Sequence, residues 1–292
     1  MDRRRADCRA FRTIPALLGA FLGLTTFIVG QQESAPRRPL PDIKQLLSDV
    51  KENQKQLEGL MDQYSCTEDE EVRELDRTGQ VKKTVVKEYM DFYLGGELIR
   101  REVKKDGKPL SAGEQKKEDG RIEKRIREYE KKHSEQGEDA ARKKKEEIDI
   151  STFLRISNFT HPRWEEYRQH NVIVFDFAPN PSYKPRSKLE DLLHKLVGTL
   201  WVDDEARQVV RLEAHLSDAY KLGGGLLASI HKGASLVMEQ AKMNNEVWLP
   251  SYIEAHFSAR LLLFASALGD YTSRFSDYKK FRVETVTKTL TK

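Results

Sequence analysis

The sequence predicts an α+β fold: a curved antiparallel β-meander, or half-barrel, closed by helices and carrying a charged helical insertion. Three observations predict it. Long runs with alternating apolar and polar residues fill the C-terminal half and recur between 64 and 105. Short turn signals rather than helical crossovers separate those runs, which makes neighbours antiparallel. One strongly amphipathic helix precedes them, with an apolar stripe that needs a surface to cover.

Residues 1–30 read as a secretory signal peptide. A basic start, RRRADCRAFR, leads into the apolar run Ile14–Val29, which ends at Gly30-Gln31. At 16 residues, with Pro15, Gly19 and Gly23 inside it, the run is short for a membrane span of about 20. An uncleaved anchor in the inner membrane is the alternative. Either way the rest of the chain is expected in the periplasm or outside the cell. Of the net charge of +4, these thirty residues carry +3, leaving too little basic excess for a nucleic-acid protein. Only Cys66 then remains, which excludes an internal disulfide. Residues 31–41, QQESAPRRPLP, form a Pro-rich linker, and 42–292 are expected to be a single half-barrel domain.

Asp42 caps a helix over Ile43–Tyr64, whose stripe is Ile43, Leu46, Leu47, Val50, Leu57, Leu60 and Met61. Ser65–Leu75, Val81–Leu94 and Glu97–Lys105 follow as strands, punctuated by Asp76-Arg77-Thr78-Gly79, Gly95-Gly96 and Asp106-Gly107. Between 104 and 147, 27 of 44 residues are charged, with 15 basic and 12 acidic. This insertion (about 106–148) is expected to be a solvated helix laced with i,i+4 ion pairs, with Ile122, Ile126 and Tyr129 as its thin apolar stripe. Residues 148–170 form an irregular connector with Phe153, Phe159, Trp164 and Tyr167. Asn158-Phe159-Thr160 within it is a formal glycosylation sequon.

Further strands are expected at Val172–Ala178, Val197–Asp203, Gln208–Tyr220, Ala228–Lys242, Glu246–Ala267 (broken near Pro250) and Arg274–Thr287. A short helix is expected at Lys188–Lys195. Turns are expected at Asp203-Asp204-Glu205, Gly223–Gly225, Asn244-Asn245 and Leu268-Gly269-Asp270. Alternation puts Val210, Leu212, Ala214 and Leu216 on one face, and Ile253, Ala255, Phe257, Ala259 and Leu261 likewise. Ile230, Ala234, Leu236 and Met238 make a third row. Strands this long coil, so the greasy rows line a concave side. The helix Ile43–Tyr64 and the Leu-rich stretch Leu189–Leu196 are the available covers.

Catalytic motifs are missing: no G-x-S-x-G, no phosphate loop, no H-E-x-x-H and no C-x-x-C occurs. His215, His231 and His256, with Glu213 and Glu254, fall on polar strand faces where a metal-dependent hydrolase would gather them; a solvated polar face is the preferred reading, and the hydrolase ranks last. Asp203, Asp204 and Glu205 read as turn formers.

The stretches GTLWVDDEARQVVRLEAHL (198–216), EVWLPSYIEAHFSARLLLF (246–264) and FSDYKKFRVET (275–285) resemble the strand series of the LolA/LolB/RseB-like superfamily of periplasmic lipoprotein-sorting and lipid-sensing proteins. The resemblance spans mainly 64–105 and 172–287. It implies a half-barrel with an apolar cavity for acyl chains, peripheral contact with a membrane, and neither a cofactor nor a catalytic mechanism. The insertion lies outside the usual pattern, and the acyl-handling arginine of the sorting chaperones has no counterpart here. The expected protein is thus a non-enzymatic binder of lipid or of lipoprotein acyl chains. An envelope scaffold with a filled core, binding a protein partner, is the alternative. The expected ligand-lining residues are Leu212, Leu216, Leu236, Met238, Phe257 and Leu261, with Trp201 and Trp248 near the rim.

Overall fold

The computed structural model describes residues 39–94, 97–134, 150–222, 228–261 and 265–281. The expected signal peptide, most of the expected linker, the last third of the insertion, the expected Gly223–Gly225 turn and the last eleven residues lie outside them.

The chain from Leu40 onward is one unit. It begins with α1 (Ile43–Met61), capped by Asp42, whose carboxylate accepts the Gln45 N–H at 2.8 Å. Then follow β1 (Tyr64–Leu75), β2 (Val81–Leu94), β3 (Glu97–Lys105), β4 (Lys108–Pro109) and α2 (Ala112–Ser134). The connector is more ordered than its sequence indicated. It folds as α3 (Ile150–Ile156) and β5 (Ser157–Tyr167), leading into β6 (His170–Pro179). After α4 (Lys188–Leu193) come β7 (Leu196–Asp203), β8 (Val209–Leu216), β9 (Tyr220–Leu222), β10 (Ala228–Ile230), β11 (Ser235–Met243), β12 (Val247–Leu261) and β13 (Ala265–Lys280).

The strands form one antiparallel sheet in the order β4-β3-β2-β1-β13-β12-β11-β8-β7-β6-β5, with β10 pairing β12 and β9 pairing β10 off this path. It is curved and does not close, so the architecture is the expected half-barrel. β5 is one free edge. A bulge at Thr160–Arg163 and His161 at φ 50° distort it, which hinders further strand pairing.

Two turn expectations meet different outcomes. Asn244 and Asn245 have φ of 50° and 56°, the left-handed pair that a tight hairpin needs. Leu268-Gly269-Asp270, read as a turn, instead runs through β13. Glycine is required there because a Cβ would lie 2.4 Å from the Arg73 carbonyl oxygen and 2.9 Å from the Phe257 ring. Close approach, not chain reversal, explains this glycine. Gly198 is equally crowded, at 1.9 Å from the Glu213 carbonyl oxygen. At Pro250, β12 continues, and the ladder absorbs the disturbance as a bulge opposite Glu239–Gln240.

The sheet's two faces differ. The inner face carries α1 and α3: Leu46, Val50 and Phe153 pack on Ile173, Phe175, Phe177, Leu200, Val202 and Ala214. Leu57, Leu60 and Met61 of α1 pack against Tyr64, Val247 and Leu249. Each fully buried aliphatic side chain among these, Leu46 and Leu249 for example, contributes about 1.5–3 kcal/mol, and the half-buried Leu57, Leu60 and Met61 contribute less. α4 was expected as the second cover, yet none of its residues is buried. α3 takes that place because Phe153 reaches Phe177 edge-to-face at 4.9 Å. α2 is not merely solvated. Besides its own Arg121–Glu118 and Arg127–Glu123 pairs, it is tied to β3 by Arg101–Asp119 and Arg125–Glu97.

Candidate functional site

Register divides the inner face into three zones. Leu200, Leu212, Met238, Ile253, Ser273 and Glu70 stand directly opposite one another across six strands. Gly198, Ala214, Leu236, Ala255, Tyr271 and Val72 form the adjacent row. Such partners share a face, so each row starts in the helix-covered core and ends on β1.

The middle zone is apolar and only half covered. Leu212, Leu236, Met238, Ile253, Ala255 and Phe257 are all partly exposed. Leu212 touches the main core, and the Phe257 ring lies over Gly269. Among the expected lining residues, the structure therefore brings together Leu212, Leu236, Met238 and Phe257. Leu216 is buried opposite Leu196. The side chain of Leu261 lies outside the described residues.

Trp201 and Trp248 are elsewhere. Trp201 pairs with Val174 and Arg211 on the opposite face, its Nε1 donating to Glu165 at 3.2 Å. Trp248 is buried in a second cluster with Val172, Val174 and Val210. Neither tryptophan lines the inner strip. Alternation explains this: Val202 is in the inner core, so its neighbour Trp201 must face outward.

The third zone, on β1, β2, β3 and β13, is polar and buried. Arg100 donates from Nε to Glu68 and from Nη2 to Glu70, both at 2.6 Å. Glu68 is 1% exposed and also accepts from Tyr271 at 3.3 Å and from Ser273. Tyr89 donates to Glu70 at 3.3 Å, and the guanidinium lies 4.0 Å from the centre of its ring. Asp91 is fully buried, directly opposite Cys66 on one side and Arg100 on the other. Neither of its carboxyl oxygens has a hydrogen-bond partner among the described residues. Burial pushes the Cys66 thiol up to about 12, so this cysteine is an inert part of the packing.

Sequence reasoning missed this cluster, although a signal exists. β1 reads Thr-Glu-Asp-Glu-Glu, placing acids on both faces. In a strand with neighbours on both sides and a covered inner face, one acidic set is forced inward and must be paired.

The polar-face histidines are dispersed. His256 pairs with Asp270 at 2.7 Å, His231 meets Ser258 at 2.8 Å, and His215 is exposed. His215 and His256 both face Ser235 from opposite sides, so their backbones are two strand spacings, about 9–10 Å, apart. Among the described residues no three His, Cys, Asp or Glu are close enough to hold a metal. The geometry that the hydrolase alternative needs is not assembled. Asp203 is a turn former, its Oδ1 accepting the Glu205 and Ala206 N–H groups at 3.0 and 2.6 Å.

No family model matches the chain, and no curated protein matches it. Three solved structures resemble it. A DUF1329-family protein from Desulfovibrio piger has a TM-score of 0.31 at 7% identity, over 82% of this chain and 94% of that one. A LolA-superfamily protein from Nitrosomonas europaea has a TM-score of 0.25 at 11% identity, over 81% of this chain and 94% of that one. MucB, in complex with MucA(peri), has a TM-score of 0.23 at 10% identity, over 82% of this chain and 100% of that one.

Proposed function

We propose that this chain is a non-enzymatic binding protein of the cell envelope that holds an acyl chain, free or attached to protein, against its inner face. Export is by residues 1–30, and 31–41 tether the half-barrel to that segment if it stays uncut. The observation that carries the reading is the half-covered apolar strip Leu212, Leu236, Met238, Ile253, Ala255 and Phe257. A fully packed sheet buries such a strip, whereas this one lies between a helix-filled core and a polar wall. Contact is hydrophobic, contributing about 25 cal/mol per Å² of apolar surface covered.

The test uses a fluorescent long-chain fatty acid as probe, together with native mass spectrometry of gently purified protein. Saturable binding with a co-purifying acylated species is the expected result. Met238→Glu and Leu236→Glu should each weaken probe binding by at least tenfold, about 1.4 kcal/mol. An empty protein, with no probe binding and no effect of either variant, removes the carrier reading. The scaffold with a filled core would then stand, and the core beneath α1 and α3 already has that character.

A further inference from the structure

The polar wall holds more acid than its cation can neutralise. Arg100 directs one guanidinium nitrogen to Glu68 and another to Glu70. Asp91 lies beside the same guanidinium with no exposed surface and no donor group to either oxygen among the described residues, and its carboxyl meets that of Glu68. A third full charge there has neither solvent nor a donor, and an unpaired buried ion is expensive. The economical state is a neutral Asp91 whose carboxyl proton is donated to Glu68.

We propose that Asp91 keeps its proton at neutral pH and donates it to Glu68, and that its release at alkaline pH loosens the β1–β2–β3 wall while leaving the β6–β8 core intact. The groups facing Asp91 come from every strand packed around it. Cys66, Glu68 and Glu70 are on β1 and Tyr93 is on β2. Arg100 is on β3 and Tyr278 on β13. One shell further out, Lys87 is held by Glu102 at 2.8 Å, so it does not serve Asp91 either. Tyr89 and Tyr271 are engaged with Glu70 and Glu68. The wall borders the apolar strip, since Ser273 stands between Glu70 and Ile253. Loosening it changes the container whether or not a ligand is present.

Burial, then the neighbouring Glu68 charge, raises the Asp91 carboxyl to about 8. In the unfolded chain it titrates near the ordinary value of about 3.9. Between those values the folded chain keeps a proton that the unfolded chain has lost. Stability therefore falls as pH rises through that window and stops falling on this account above about 8. Cys66 titrates well above it.

The experiment compares urea unfolding midpoints of the purified chain and of Asp91→Asn from pH 5 to 8.5, with carboxyl-carbon NMR of 13C-aspartate-labelled wild type. Asparagine has the shape of the neutral acid and can donate to Glu68. The wild-type midpoint should drop across the range and the variant's should stay nearly level, crossing above wild type by pH 8.5. The Asp91 resonance should titrate above pH 7. Amide protection measured across the same range should fall in β1–β3 and hold in β6–β8. An Asp91 resonance titrating below pH 5, or identical pH slopes for the two proteins, overturns the retained proton. Equal loss of protection in both regions overturns the local loosening. The resonance decides the first point even if Asp91→Asn does not fold.

Discussion

The two ends of the inner face solve the same burial problem by opposite means. Around β6–β8, Ile173, Phe175 and Leu200 are fully buried beneath Leu46, Val50 and Phe153, in a cluster whose buried side chains are all aliphatic or Phe. Around β1–β3, comparably deep positions hold Glu68, Glu70 and Asp91, tied through one arginine and flanking hydroxyls. The first arrangement tolerates imprecise geometry and resists pH. The second depends on direction and charge state, because each unmet polar group carries its full desolvation cost. Stability and responsiveness are thus placed in different strands of one sheet.

This contrast can be broken at either end. Phe175→Ala should cost the most, about 3–5 kcal/mol in chemical denaturation, because it opens a cavity among Phe153, Phe159 and Phe177. That loss should be the same at pH 6 and at pH 8. Arg100→Ala should cost about 2–4 kcal/mol, less than the ~3–5 kcal/mol of a fully buried pair because its side chain is 31% exposed. Its penalty should grow with pH as Asp91 gives up its proton with no guanidinium beside it, and a pH-independent penalty would erase the contrast. Ser187→Ala removes the oxygen that accepts the Glu190 N–H at the start of α4 and should cost about 1 kcal/mol. His256→Ala breaks an exposed pair with Asp270, 45% and 31% exposed, and should change stability by no more than about 1 kcal/mol. A larger loss there would mean that the outer polar row is structural.

The apolar end was legible in the sequence and the polar end was not. Val172–Ala178, Val197–Asp203 and the helix stripe of Leu46 and Val50 announce themselves because periodic apolar residues have few other uses. Alternation placed Leu212, Leu236, Met238 and Phe257 on one face with the correct partners' parity. It misled at Val210, which the register shift beside Trp201 and Val202 leaves in the second cluster, apart from Leu212 and Ala214, at Trp201, an aromatic judged by type rather than by parity, and at Gly269, read as a turn. Glu68, Glu70, Asp91 and Arg100 belong to three strands separated by hairpins. Their cohesion depends on cross-strand register, which charged residues do not signal. Acids that look solvated one strand at a time become a buried cluster only when β2, β1 and β13 are laid side by side.

The order of strands has a consequence for how the molecule comes into being. β1, near the start of the described chain, takes one neighbour from the adjacent hairpin and the other from β13. Tyr271 reaches Glu68 across 203 residues of sequence. Contacts this distant make assembly slow, since the intervening loop must close before they form. The β1–β13 ladder therefore cannot zip until β13 has been synthesised, so β1 of a nascent chain waits, with one edge open, for a partner made near the end of synthesis.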